Sequence, residues 1–215
     1  MIIHHDRWHF DADVAIVGYG AAGAAAAITA HDAGTQVVVL EKQGSQKHIT
    51  NSTMSGGGII CPNDIQEAKR YMEALYKVSE DLSWTEPDVL DAWVQYSAEN
   101  VKWFESLGGA MDLYRHAGEH NAPGAESIDI YQLRSGMGSE MMKLLYKQVN
   151  ARNIRVMYNT SAIELLQNSR GEVVGVSARQ DTDEGKVINI IVGYGPGGGY
   201  DRMARLLAKH LPRYI

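Results

Sequence analysis

Three glycines, Gly18, Gly20 and Gly23, stand at a spacing that serves binding rather than proton transfer. They follow an apolar run, Val14 to Val17, and open a stretch of small residues. Gly18 allows a tight strand-to-helix turn. Gly20 lets a pyrophosphate approach the backbone, and Gly23 lets the helix lie close to the strand, with Ala22 inside the same grip. The N-terminus of such a helix offers backbone N–H groups and a partial positive charge to phosphates. A second apolar run, Val37 to Leu40, ends in an acid, Glu41. A carboxylate there can accept both hydroxyl protons of an adenosine ribose, and it disfavours a 2′-phosphate. The chemistry is recognition of an ADP-containing cofactor. A plain glycine turn in a βαβ unit does not account for an acid ending an apolar strand. FAD and NAD both satisfy this unit.

The elements that must position these residues follow from pattern. Strand, helix and strand occupy residues 14 to 40, after a polar lead-in over 1 to 12. Gln43 to Pro62 is a loop rich in glycine and serine, without periodicity. Asn63 or Asp64 caps a helix running to about Val78, with Ile65, Ala68, Met72, Leu75 and Tyr76 on one face. Pro87 opens a helix to Leu107, striped by Leu90, Trp93, Val94, Val101 and Phe104 and ended by Gly108 and Gly109. Residues 110 to 136 read as irregular. A helix follows from about Ser139 to Ala151, then strands over Ile154–Tyr158, Ala162–Leu166 and Val173–Ala178. The last two are joined by a hairpin turn over Asn168 to Gly171. A final strand, Val187 to Val192, leads into a second glycine loop and a helix.

Composition narrows the partners. The 215 residues are 45% apolar and 21% charged, enough for one sizeable core. A net charge of −6 with no basic run argues against nucleic acid. A single cysteine, Cys61, makes no internal disulfide and fits a reducing compartment. The N-terminus lacks the apolar core of a signal peptide, and no apolar run reaches bilayer length. The expectation is a soluble, cytoplasmic protein with no membrane span.

The segment after Glu41 adds a resemblance. Lys42 to Pro62, with Asn51-Ser52-Thr53-Met54-Ser55-Gly56-Gly57-Gly58 inside it, is similar to the second FAD loop of the fumarate reductase, succinate dehydrogenase and 3-ketosteroid Δ1-dehydrogenase flavoproteins. Asn153 to Val176 resembles that family's later strand and hairpin, where a backbone group near Ala162 meets the adenine. The resemblance covers about residues 11 to 180. It implies an α/β fold, a Rossmann-like FAD-binding domain with a parallel sheet plus a β-hairpin, C-terminally incomplete. It implies FAD contacts from Gly18, Gly20, Ala22, Gly23, Glu41, Lys42, Asn51, Ser52, Thr53, Ser55, Gly56, Gly57 and Ala162. In succinate dehydrogenases a histidine before the Gly-Gly loop attaches covalently to the flavin. Asn51 falls at that place and His48 lies outside it, so non-covalent FAD is expected. Relatives are at least twice as long, and their catalytic arginines, histidine and capping domain lie beyond Ile215. No catalytic residue is therefore assigned. The expectation is part of an oxidoreductase acting on a small-molecule substrate, truncated and weakly active or inactive alone.

The tail differs. Gly185 to Ile215 resembles the start of substrate-binding proteins of tripartite tricarboxylate transporters, where a Pro-Gly-Gly-Gly loop holds a carboxylate. Gly195, Gly197, Gly198, Gly199 and Asp201 would form that loop, and Ala204, Leu207, Ala208 and Leu211 the buried face of its helix. The expected organisation is a partial FAD-binding domain over 1–180 and a tail of different origin over 181–215, joined by truncation or fusion near Asp181 to Gly185. Gly193, Gly195 and Gly198 also fit a dinucleotide spacing, but Pro196 stiffens that turn.

Other residues read more plainly. His116 and His120 are four apart, but Gly118 and Pro123 oppose a helix, and no metal site is assigned. His4, His5 and His9 read as a solvated leader, and Trp84, Trp93 and Trp103 as core or subunit contact. Tyr114 and Tyr131 lie where some relatives carry an active-site tyrosine, although each needs only one hydroxyl partner. Arg134 reads as a surface cation. Three other classes stay open: an NAD-dependent oxidoreductase, a carboxylate-binding fragment built on the tail, and an inert, poorly folding fragment.

Overall fold

The computed structural model describes residues 8–79, 82–83, 85–116, 118, 121–134, 136–181 and 186–192. The first elements are strands β1 (Phe10–Ala12) and β2 (Val14–Val17), helix α1 (Ala21–Asp32) and strand β3 (Val37–Leu40). Next come a one-turn helix α2 (Asn51–Met54), β4 (Ile59–Ile60), α3 (Ile65–Tyr76), and the short strands β5 (Lys77–Ser79) and β6 (Leu82–Ser83). Helices α4 (Pro87–Ser97) and α5 (Asn100–Ser106) precede strands β7 (Met111–His116) and β8 (Asp129–Leu133). Helix α6 (Gly138–Ala151) leads to β9 (Arg155–Met157), β10 (Thr160–Gln167), β11 (Val173–Gln180) and β12 (Lys186–Val192). These elements form two compact units. One holds the residues up to Thr50 and those from Leu145 on, and the other holds Asn51–Leu144.

In the first unit β2, β3 and β9 pair in parallel, with Val14 opposite Val37 and Val39 opposite Val156. All four residues of β3 are buried, as a central strand covered on both faces requires. Helix α1 buries Ala24, Ala27, Ile28 and Ala30, small enough to bring its axis close to the sheet. The second sheet runs β1-β12-β11-β10, with β1 parallel to β12 and the other pairs antiparallel. Leu40, Met157, Val176, Ala178 and Ile190 share one core. The hairpin turns where the spacing predicts. Gly171 adopts φ +76°, and Asn168 Oδ1 accepts the N–H groups of Arg170 and Glu172 at 2.9 and 3.0 Å. Arg152 forks onto Asp32 at 2.7 and 2.8 Å, which holds that carboxyl below its ordinary range.

The second unit packs α3 against α4, burying Ala68, Tyr71, Met72, Leu90, Val94 and Ile128 together. Asp64 caps α3, its carboxylate accepting from Gln66 N and Glu67 N at 2.9 and 3.0 Å.

Four local expectations change. The lead-in contains β1, which gains its order from β12 rather than from its own sequence. The glycine-serine loop contains α2. The helix expected over 87 to 107 is two helices. Ser97 Oγ turns back to Val94 O at 3.2 Å, Glu99 N bonds Tyr96 O, and Asn100 Nδ2 reaches Ile60 O at 2.8 Å, so the ladder bends there. Residues 110 to 136 carry β7 and β8, an antiparallel pair joined by β4 in one sheet. The strand on the tail side of the expected boundary, β12, pairs with both β11 and β1. The second glycine loop and final helix, like Trp84, His4, His5 and His120, lie outside the described residues. No helix among the described residues is long and apolar enough to cross a membrane.

Asp64→Ala removes two hydrogen bonds from the first turn of α3. It should lower the unfolding free energy by about 1 kcal/mol in urea melts, and an unchanged midpoint would show that solvent satisfies that turn equally well.

Candidate functional site

The turn between β2 and α1 has the geometry its glycines imply. Gly18 adopts φ +94°, where a side chain is strained, and donates its N–H to Leu40 O at 2.8 Å. A Cβ on Gly18 would meet nothing within 4 Å, so the turn presents bare backbone. A Cβ on Gly23 would sit 2.0 Å from Gly18 O, so only glycine lets α1 approach this closely. Gly20 is the N-cap of α1 in extended conformation. No side chain caps the helix, and its first turn holds no acid. Its N-terminal end carries a partial positive charge that favours an anion.

Glu41 lies at the end of β3 and is 5% exposed. Its Oε2 accepts Tyr19 N at 2.8 Å and its Oε1 accepts Gln43 N at 2.8 Å. Its own backbone bonds Met157 O and Thr160 N. Burying a carboxylate costs heavily unless donors meet it, and here each oxygen has one backbone donor. A carboxylate has about four acceptor positions, so capacity for a vicinal diol remains.

Behind Glu41 stands a cluster that spacing did not reveal. Tyr19, the residue between the first two glycines, is 1% exposed. Its ring stacks on His48 at 5.5 Å, tilts on Tyr146 at 4.6 Å and meets the edge of Tyr158 at 6.1 Å. Burial, then the neighbouring Tyr158 and Tyr146, push the Tyr19 hydroxyl well above its ordinary range. Burial and Glu41 also raise Tyr158. Tyr146 Oη bonds Tyr19 O at 3.1 Å and His48 Nδ1 at 3.1 Å. His48 Nε2 lies 3.4 Å from Glu41 Oε2, near enough for an ion pair, yet it makes no hydrogen bond. Gln43 sets His48 in place by clasping Ile49, its Nε2 to Ile49 O at 3.0 Å and its Oε1 from Ile49 N at 3.1 Å. Lys42 is exposed beside this cluster. Ala162 lies on β10 opposite Ala178, at a bulge. The structure thus gathers Gly18, Gly20, Ala22, Gly23, Glu41, Lys42 and Ala162 in one unit.

The remaining predicted residues belong to the other unit. Asn51, Ser52 and Thr53 form α2, and Ser55, Gly56 and Gly57 follow it. Ser55 Oγ donates to Ser52 O at 2.8 Å and accepts Gly57 N at 3.1 Å, so its hydroxyl shapes the loop. Gly57 has φ +71°, and a Cβ there would meet Gly138 N and Met137 C at 2.7 Å. Gly138 N donates to Ser55 O at 3.0 Å, and Gln132 Nε2 donates to Gly56 O at 2.6 Å.

The residues set aside find ordinary partners. His116 Nδ1 is 2.5 Å from Asp129 Oδ1, beside a cavity of about 600 Å³ that also touches Arg70 and Glu67. Among the described residues no group of three or more His, Cys, Asp or Glu could hold a metal ion. Arg134 forks onto Asp112 at the surface. Tyr114 is 61% exposed, Trp93 packs against the α3–α4 core, and Trp103 meets the edge of Phe104.

Comparison with known proteins bears on the family and the fold. Residues 13–207 match the family model described as FAD binding domain. A urocanate reductase of Eggerthella lenta is 31% identical across 94% of this chain and 34% of its own length. A cytochrome-type fumarate reductase of Shewanella frigidimarina is 28% identical across 78% of this chain and 30% of its own length. The 3-ketosteroid-Δ4-(5α)-dehydrogenase of Rhodococcus jostii RHA1 superposes with a TM-score of 0.70 at 24% identity, over 87% of this chain and 45% of that one. An open flavocytochrome c3 fumarate reductase gives 0.70 at 22% identity, over 86% of this chain and 33% of that one. The chain therefore spans about a third of the length of these curated relatives.

Two glycines with positive φ or close packing separate clash from strain. Gly23→Ala drives a Cβ into Gly18 O and should cost about 3 kcal/mol in urea unfolding. Gly34→Ala, at φ +86° with open space around it, should cost only about 1 kcal/mol. Equal costs would show that α1 can shift away from the turn.

Proposed function

Because this chain belongs to the FAD-binding-domain family, we propose that it is the ADP-gripping part of a fumarate reductase-like flavin oxidoreductase. FAD is the cofactor of that family. The observation that carries the reading is the pairing of an uncapped α1 N-terminus with a buried Glu41 whose two oxygens are held by Tyr19 N and Gln43 N. A pyrophosphate fits the first, and a ribose diol fits the second. The glycine geometry fits the same ligand, since bare backbone at Gly18 and close packing at Gly23 leave room for it.

When bound, the cofactor supplies hydride transfer at flavin N5. The residues of this chain bind and orient. The amide end of α1 neutralises pyrophosphate charge, and Glu41 fixes the ribose. Ala162 and Lys42 border the adenosine side. Asn51 offers no nucleophile for attachment, which supports non-covalent binding. The substrate class we propose is a small molecule with an activated carbon–carbon double bond, as the names urocanate reductase and fumarate reductase describe for the relatives. The proton-transfer groups of such a reaction are not assigned within this chain, so the expected turnover by this chain alone is low.

Purified chain mixed with FAD should turn yellow after desalting and melt at a higher temperature. FAD at a hundred times its dissociation constant should add about 2.7 kcal/mol of stability. Glu41→Gln keeps the side-chain shape and loses the charge, and should weaken FAD binding about tenfold or more. A thermal shift with NAD and none with FAD would favour a nicotinamide enzyme instead.

A further inference from the structure

One peptide unit of the glycine turn has a direction that its own residues do not fix. The bond between Tyr19 and Gly20 is trans, so its C=O and its N–H point opposite ways. Gly20 adopts φ −80°, but a glycine takes positive φ about as readily, so Gly20 offers little resistance to this unit turning over. Turned over, the unit would aim a carbonyl oxygen where an anion needs an N–H. The structure holds it from outside. Tyr146, on α6, donates its hydroxyl hydrogen to Tyr19 O at 3.1 Å. The same hydroxyl lies 3.1 Å from His48 Nδ1, and the Tyr146 ring tilts on the Tyr19 ring at 4.6 Å. Leu145 and Val149, both buried, seat that turn of α6. The preceding amides are held as well, Tyr19 N by Glu41 Oε2 at 2.8 Å and Gly18 N by Leu40 O at 2.8 Å.

We propose that Tyr146 is a positioning residue of the cofactor site, acting through the Tyr19–Gly20 peptide. By holding the Tyr19 carbonyl toward α6, its hydroxyl turns the Gly20 N–H away from α6, at the N-terminal end of α1. That is where the pyrophosphate of the proposed cofactor would lie, and the inference rests on the cofactor reading above. An N–H there attracts phosphate oxygens and a carbonyl repels them, so reversing this one unit exchanges a charge-assisted hydrogen bond for a repulsion. The two ends of the ligand are thereby set by different side chains. Glu41 faces the ribose directly, and Tyr146 serves the pyrophosphate through backbone alone. Tyr146 comes 127 residues after Tyr19, so no spacing around the glycines announces it.

Tyr146→Phe keeps the ring and removes only the hydroxyl, and two readouts on the full chain test its effect. Without ligand, ¹³C spectra of labelled tyrosine carbonyls should show the Tyr19 resonance moving upfield, as a carbonyl does when it loses a donor, while that of Tyr131 on β8 stays in place. In calorimetric titration the dissociation constant for ADP-ribose should rise about tenfold. The constant for adenosine, which has no phosphate, should be unchanged when followed by NMR shifts at millimolar concentration. A merely structural role would weaken both ligands alike, because it would loosen the ribose end together with the pyrophosphate end. Equal weakening of the two, an unchanged ADP-ribose affinity, or a Tyr19 carbonyl that does not move overturns the proposal. A wild-type chain that binds neither ligand overturns the cofactor reading and this proposal together, whereas those three outcomes leave the cofactor reading standing.

Discussion

A carboxylate buried at the end of an apolar strand must be given donors, and much of the first unit is arranged around that need. Glu41 closes β3, whose four preceding residues are all buried. Its oxygens draw in the amide of Tyr19 from the glycine turn and the amide of Gln43 from the loop beyond. Those two bonds tie the start of α1 to the end of β3, the two places where the proposed pyrophosphate and ribose would lie. The same carboxylate, left without them, would carry an uncompensated charge in the core. In the proposed function, structural need and ligand recognition converge on this one side chain.

The close approach of α1 depends on the same turn. Gly23 has no room for a Cβ against Gly18 O, and the buried face of α1 is almost all alanine. A helix that near the sheet aims its amide end across the tip of β2. Tyr19 fills the space beneath with a ring rather than leaving a void, and its carbonyl anchors Tyr146. The cluster of Tyr19, His48, Tyr146 and Tyr158 thereby packs behind the acid.

What was legible in the sequence had a local cause. The β2–α1–β3 unit was readable because uninterrupted apolar runs, glycines at fixed offsets and a terminal acid each leave a mark within thirty residues. The hairpin was readable from Asn168 to Gly171 for the same reason. The pair β7–β8 was not, because β7 buries only Met111 and shows no alternation. Its order comes from pairing with β8. The break between α4 and α5 hung on Ser97 folding back to Val94 O, a choice that apolar periodicity does not record. The aromatic cluster was least accessible of all, since the chain brings residues 19, 48, 146 and 158 together only through the sheet and α6. An aromatic residue inside the glycine fingerprint was the one available hint that something must pack beneath that turn.

The central claim is that the Gly18 turn and Glu41 hold an adenosine diphosphate bearing a free ribose diol. Calorimetric titration of the purified chain with ADP-ribose and with its 2′-phosphorylated form tests it most directly, because the two ligands differ only where Glu41 acts. The account predicts measurable binding of ADP-ribose and at least about tenfold weaker binding of the phosphorylated form, which sets an anion against the buried carboxylate. Equal affinity for the two, or a preference for the phosphorylated ligand, would contradict it.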